Sequence, residues 1–303
     1  MTTLALEAVS RWFGNVVAVN GITMTIGPGV TGLLGPNGAG KSTLIHLMGG
    51  FLPPSAGTVA LDGQPVWRNT SIYRVLGLVP EREAMYDFLT GYELVVANAE
   101  LHGLPDPGAA ADRALATVEM TGPAGRAVST YSKGMKQRVK MATALVHDPA
   151  VLLLDEPFNG MDPRQREHLM GLLDEMGRDG RTVLFSSHIL EEVEQIAGRI
   201  EVVVAGRHAA SGDFHEIRRL MTNRPHLYVL RSSDDRALAA ALMAEGACNG
   251  VRLEGDTLHA QAADFPRFAR LVPSLARAGN IRLFEVAPAD ESLESVFSYL
   301  VGS

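Results

Sequence analysis

The chain has 303 residues, enough for one large domain with a small one or for two medium ones, and its 46% hydrophobic and 20% charged residues are ordinary for a globular protein. The net charge of −7, with no basic tail, argues against a general nucleic-acid binder, whose affinity rests on neutralising phosphates. A single cysteine, Cys248, excludes an intrachain disulfide and a cysteine-based metal cluster, no apolar run is long enough for a membrane span, and nothing near Met1 reads as a secretion signal, so the expected setting is a reducing cytosol. Of the 27 basic residues only four are lysines, Lys41, Lys133, Lys136 and Lys140. The arginine preference is most simply the codon usage of a GC-rich genome.

In chain order, "VTGLLG", "VLGLVP", "AVLLLDEP", "TVLFSS" and "RIEVVVAG" are short Val- and Leu-rich runs, as expected of buried strands in a sheet covered on both faces. Longer helical patterns separate them. Three of these, "LTGYELVVANAELHG", "PGAAADRALATVEMTG" and "SKGMKQRVKMATALVHDP", follow one another without a strand, which predicts a helical subdomain near residues 86–148 inserted in an α/β core. After about residue 215 the rhythm becomes β-α-β-β-α-β, the order of a small ferredoxin-like α+β domain, followed by a last amphipathic helix in "ESLESVFSYLV". The division expected is residues 1–217 and 218–303.

Two stretches carry chemistry. "GPNGAGKST", Gly35–Thr43, satisfies the phosphate-loop pattern and lies between a strand and a helix, the context that pattern requires. Asn37, Gly38, Ala39, Gly40 and Thr43 are expected to wrap phosphate with backbone N–H groups. Lys41 is expected to reach the β- and γ-phosphates of a nucleotide and the Ser42 hydroxyl to ligate Mg²⁺. "VLLLDEP" ends a buried strand in Asp155 and Glu156, placing carboxylates at the sheet edge where ligands of such folds bind. Asp155 is read as holding Mg²⁺ through water and Glu156 as the base for the attacking water. The competing readings are a chance glycine-rich turn and a carboxylate pair that caps the next helix.

With "YSKGMKQR" between them, these stretches resemble the nucleotide-binding subunit of an ATP-binding cassette (ABC) transporter over about residues 1–215. The resemblance implies a P-loop NTPase (RecA-like) core and ATPase activity. It places Phe13 of "SRWFGNVVAVNG" where an aromatic stacks on adenine, with Trp12 as a competitor and a core position as the other reading of either, Asp162 of "FNGMDP" in a loop crossing the dimer contact, and His188 of "LFSSHILEE" as the γ-phosphate sensor. Ser132 and Gly134 match the family's signature segment, while Tyr131, Lys133 and Met135 depart from it. That segment implies a head-to-tail homodimer or heterodimer in which Ser132 and Gly134 touch ATP held by the partner's phosphate loop, with Lys133 adding a cation nearby. Lys133, Lys136 and Lys140 are otherwise read as a solvated basic helix face.

A further departure is Glu81, which stands where the family has a glutamine contacting Mg²⁺ and water; it is read as a direct metal contact, the alternative being that it points into solvent and a neighbouring residue does the work. The resemblance also implies a separately encoded permease seated against residues 81–92, where Met85, Tyr86 and Phe88 are apolar without need in a solvated loop. The closing "ESLESVFSYLVG" and the "YSKGMKQR" variant resemble ATPases serving type-2 exporter permeases. The subunit is then peripheral on the inner face of a bacterial membrane. The alternatives are a soluble ABC ATPase of DNA maintenance or translation and a nucleotide-gated regulator.

Overall fold

The structure, a computed structural model, describes residues 2–81, 85–217, 226–255, 257–262 and 264–288. By their internal contacts the residues fall into two units that divide between Phe214 and His215. The expected helix in "ESLESVFSYLV" and residues 82–84 of the expected permease contact lie outside the described residues.

The first unit opens with antiparallel strands β1 (Leu4–Phe13) and β2 (Val16–Ile26), joined later by β4 (Ala56–Leu61) and β5 (Gln64–Pro65) in the order β2-β1-β4-β5. Between them come β3 (Gly29–Leu34) and helix α1 (Lys41–Met48). Leu44, Ile45, Leu47 and Met48 of α1 bury themselves against Leu6, Ile22 and Ile26 of this sheet and Leu33, Leu153 and Leu184 of the next, so α1 is the middle of a layered core.

The second sheet has the order β10-β9-β3-β8-β7-β6, with β6 Leu76–Val79, β7 Val151–Leu154, β8 Thr182–Ser187, β9 Arg199–Val204 and β10 Arg207–Gly212. Its strands are parallel apart from β10, which pairs antiparallel with β9. Every residue of β7 and β8 is buried, which explains why β7 reads as an unbroken apolar run and β8 as one that ends in two serines. Because β3, β6, β7 and β8 run the same way, the loops that begin at Gly35, Pro80, Asp155 and His188 open on one edge.

The helical block between β6 and β7 holds α2 (Gly91–Leu101), α3 (Pro107–Thr117) and α4 (Lys133–Leu145). Thr90 starts α2 with a capping box, its hydroxyl accepting from Glu93 N–H while the Glu93 carboxylate accepts from Thr90 N–H. Helix α5 (Pro163–Arg178) turns Leu169, Met170, Leu173 and Met176 inward, and α6 (Leu190–Ile196) follows β8.

The second unit runs β11 (His226–Ser232), α7 (Asp235–Ala244), β12 (Gly250–Glu254), β13 (Thr257–Ala262), α8 (Phe265–Ala278) and β14 (Leu283–Pro288). Its antiparallel sheet has the order β12-β13-β11-β14, which is the ferredoxin-like arrangement. Leu238 and Leu242 of α7 and Phe268 and Val272 of α8 cover its inner face.

Among the described residues no helix is long and apolar enough to cross a membrane.

Candidate functional site

The loop from Gly35 to Gly40 is shaped by two glycines, Gly35 and Gly40, that leave no room for a side chain. Gly40, the N-cap of α1, has φ 102°, and a Cβ there would lie 2.5 Å from the Ala18 carbonyl oxygen of β2. A Cβ on Gly35 would lie 2.2 Å from the Val203 carbonyl oxygen of β9. The turn after β9 braces the loop from outside, Gly206 N–H donating to Ala39 O at 2.9 Å. No side chain caps α1 and its first turn has no acidic residue, so its leading amides are aimed at an anion rather than consumed within the chain. Ser42 and Thr43 sit half-buried in that first turn. Asn37 and Gly38 form the exposed tip of the loop, with Gly38 at φ 79°.

Lys41 is buried, its Nζ donating to Gly35 O at 2.8 Å and Pro36 O at 3.2 Å and lying 3.4 Å from Glu156 Oε1. Glu156 follows Asp155 at the end of β7, is itself buried, and takes φ 47°, a left-handed conformation that costs a non-glycine residue of order 1 kcal/mol or more. Its carboxylate also accepts from His188 Nδ1, at 3.0 Å to Oε2 and 3.1 Å to Oε1. That hydrogen bond puts the Nδ1 proton toward the carboxylate and turns Nε2 the other way.

Ser186 joins the two acidic residues. Its hydroxyl donates to Asp155 Oδ1 at 2.7 Å and accepts from Glu156 N–H at 2.8 Å, all within the interior. Ser187 continues outward: its hydroxyl donates to Glu192 Oε2 at 2.6 Å and accepts from Ile189 N–H at 2.9 Å. Arg166 of α5 pairs with the same carboxylate at 3.3 Å. Burial pushes the Glu192 carboxyl up, against the opposing pull of the Ser187 hydrogen bond and the Arg166 charge. Thus four links, Arg166, Glu192, Ser187 and the turn at Ile189, hold the loop that carries His188.

The structure therefore brings together Lys41, Asp155, Glu156 and His188, with Ser42 beside Lys41 at the helix start. The remaining candidates have other partners. Ser132 is the exposed N-cap of α4, its hydroxyl accepting from Met135 N–H at 3.2 Å. Gly134 is buried, and a Cβ there would stand 2.5 Å from Gln165 Oε1 and 3.1 Å from Gly160 O, so the signature helix starts directly against the loop leading to Asp162. Asp162 is the exposed N-cap of α5 and accepts from Gln165 N–H at 2.9 Å. Phe13 ends β1 44% exposed, with the Arg11 guanidinium 4.7 Å from its ring centre, and Trp12 is equally open, so neither belongs to the core. The Glu81 side chain is exposed and, among the described residues, takes no hydrogen bond or ion pair; only its backbone carbonyl is held.

Sequence reasoning missed Ser186, Ser187, Glu192 and Arg166. Two serines ending an apolar strand were a visible signal, because the register Leu154↔Phe185 sets Ser186 beside Asp155. The basic face expected on α4 is also corrected: Lys140 is 5% exposed, since its ammonium turns inward to backbone carbonyls of the segment after β6.

A phosphate loop between strand and helix, an acidic pair on the strand two places along the sheet and a helical block inserted before it define a P-loop nucleoside triphosphatase of cassette type. A family model described as ABC transporter matches residues 19–159. Linearmycin resistance ATP-binding protein LnrL of Bacillus subtilis (strain 168) is 30% identical over 99% of this chain and 98% of its own length. Daunorubicin resistance ATP-binding protein DrrA3 of Streptomyces coeruleorubidus is 32% identical over 99% and 96%. The dimeric bacterial ABC transporter cassette MJ0796 superposes with a TM-score of 0.66 at 24% identity, covering 70% of this chain and 98% of that one, and so shares the fold. The chain belongs to the ABC transporter family, as an ATP-binding subunit with ATPase activity.

Proposed function

We propose that two such subunits, identical or merely related, close head to tail on two ATP molecules and power a type-2 exporter of the drug-resistance kind from the inner face of a bacterial membrane. Relatives of nearly equal length whose names state linearmycin and daunorubicin resistance support the exporter reading over a soluble role in DNA maintenance or translation. A regulator that binds without hydrolysing has no use for a strained, buried Glu156 held between Lys41 and His188, and this arrangement carries the proposal.

In this reading the loop amides and Lys41 hold phosphate, and Glu156 takes a proton from the attacking water. His188 keeps the Glu156 carboxylate aimed and offers Nε2 toward the γ-phosphate. Ser132 and Gly134 act on the partner's ATP, Asp162 crosses the contact, and Phe13 lies open for adenine. Ser42 and Asp155 suit Mg²⁺: one Asp155 oxygen is taken by Ser186, and among the described residues no group of three or more His, Cys, Asp or Glu forms a protein cage. Such a sparse donor set fits a cation shared with phosphates, whose charge it neutralises. Tyr86 and Phe88, exposed with ring centres 5.8 Å apart, support residues 81–92 as the permease contact.

The test is size-exclusion chromatography of Glu156→Gln with ATP and Mg²⁺. A dimer should accumulate in the variant and in the wild type only transiently; a variant that binds ATP yet stays monomeric overturns the sandwich.

A further inference from the structure

Two of the four lysines stand one turn apart on α4 and reach the same short segment. Lys140 Nζ donates to Pro80 O at 2.8 Å and Glu81 O at 3.2 Å. Lys136 Nζ lies 3.6 Å from Asp87 Oδ1, at the far end of that segment. A buried ammonium is costly unless its donors are matched. Carbonyls of a chain that has just left a sheet have lost their ladder partners and are equally in need. Lys140 answers both demands. In a chain that uses arginine twenty-three times out of twenty-seven, lysine here has a physical rationale: a compact ammonium with rotatable donors can enter between converging carbonyls, where a planar guanidinium presents a wider, fixed fork.

The position on the helix matters as much as the bond. Ser132 caps the N-terminus of α4, and Lys140 lies about 12 Å further along the same rigid element. The segment it grips bears Glu81 at one end and the exposed Tyr86 and Phe88 at the other.

We infer that Lys140 is a positioning residue: it makes the segment after β6 travel with the signature helix, so that engagement of a partner's ATP at Ser132 is transmitted to Glu81 and to the Tyr86–Phe88 face. Lys136 and Asp87 form a second tie, weaker because Asp87 is 67% exposed and its charge is screened. The inference rests on the head-to-tail reading above.

It is tested on the full chain by amide hydrogen exchange, comparing Glu156→Gln with Glu156→Gln/Lys140→Met, with and without ATP and Mg²⁺. In the parent, ATP should change protection both at residues 132–138 and at residues 85–92. In the Lys140→Met variant the change at 132–138 should remain, and that at 85–92 should fall to less than half. A purely structural lysine would lower protection with and without ATP alike and leave the difference intact, which overturns the inference, as does a parent showing no ATP-linked change at 85–92. Lys136→Ala, at a partly exposed position safe for folding, should by itself shrink the change at Asp87 and Phe88; no effect there, should Lys140→Met not fold, also overturns it. Loss of the change at 132–138 in the parent would instead strike the sandwich, so the two failures are distinguishable.

Discussion

The loops after β3, β7 and β8 and the start of α4 carry the two halves of the proposed ATP site, and they are built on opposite plans. In the first, Lys41, Asp155, Glu156 and Ser186 are buried and every one is bonded to another or to nearby backbone. In the second, Ser132 and Lys133 are exposed and what holds them is local: the Ser132 cap to Met135 N–H, the stem of Lys133 over Gly160, and the backing of Gly134 against Gly160 and Gln165. The difference teaches that one half is tied together within the chain, while in the proposed reading the other is an exposed surface prepared for a second molecule.

The largest effect should come from the finished half. Glu156→Gln removes the proton acceptor while retaining the hydrogen-bonding shape, and turnover should fall roughly 10²–10⁴-fold with ATP binding kept; wild-type-like steady-state hydrolysis would remove Glu156 from its role. Ser132→Arg sharpens the contrast from the other side. Turnover should fall about 10²-fold or more, the scale of losing a stabiliser of developing phosphate charge, yet equilibrium dialysis should find nearly unchanged ATP affinity in the isolated subunit. Loss of that affinity would place Ser132 on its own chain's nucleotide and collapse the comparison.

Ser186→Ala leaves the buried Glu156 N–H without its acceptor and Asp155 without a donor, a cost of about 1–3 kcal/mol that should appear both as a lower unfolding midpoint and as a drop in turnover of about tenfold. Ser186→Thr, which keeps the hydroxyl, should recover part of the turnover. The smallest effect belongs to Glu81→Gln. Hydrolysis should persist while its Mg²⁺ dependence moves a few-fold toward higher concentration, since an ionised carboxylate attracts the cation and an amide does not. An unchanged Mg²⁺ titration would assign Glu81 to solvent, to which its side chain is exposed.

How much of this was legible depended on whether a signal was local. Five of the six strands of the main sheet declared themselves because burial on both faces leaves few polar residues to interrupt them; β10, largely half-buried at the sheet edge, did not. Nor did the first two strands. Exposed Trp12, Phe13, Val16 and Val17, a left-handed Ala8 and several register shifts between β1 and β2 erase the alternation that betrays a half-buried strand. Lys41, Ser42, Asp155 and Glu156 were readable because backbone needs fix their spacing within one turn of chain. Ser186 lies some thirty residues from its partners and acquires meaning only through the neighbouring of β7 and β8. Lys140 was hidden for another reason: its partners are carbonyls, which every residue has and no sequence displays.

The close approach of Gly134 to Gly160 has a mechanical meaning of its own. Where a helix end meets a loop through side chains, their rotamers give the joint play, and a displacement of one part is partly absorbed before it moves the other. Here hydrogen atoms stand where side chains would be, Gly160 sits at φ 76°, and the stem of Lys133 closes over it from above. Such a seam has almost no backlash. The surface that would read one nucleotide and the loop that would cross to the second site behave as a single gear tooth, so neither of two paired sites could turn without the other registering it.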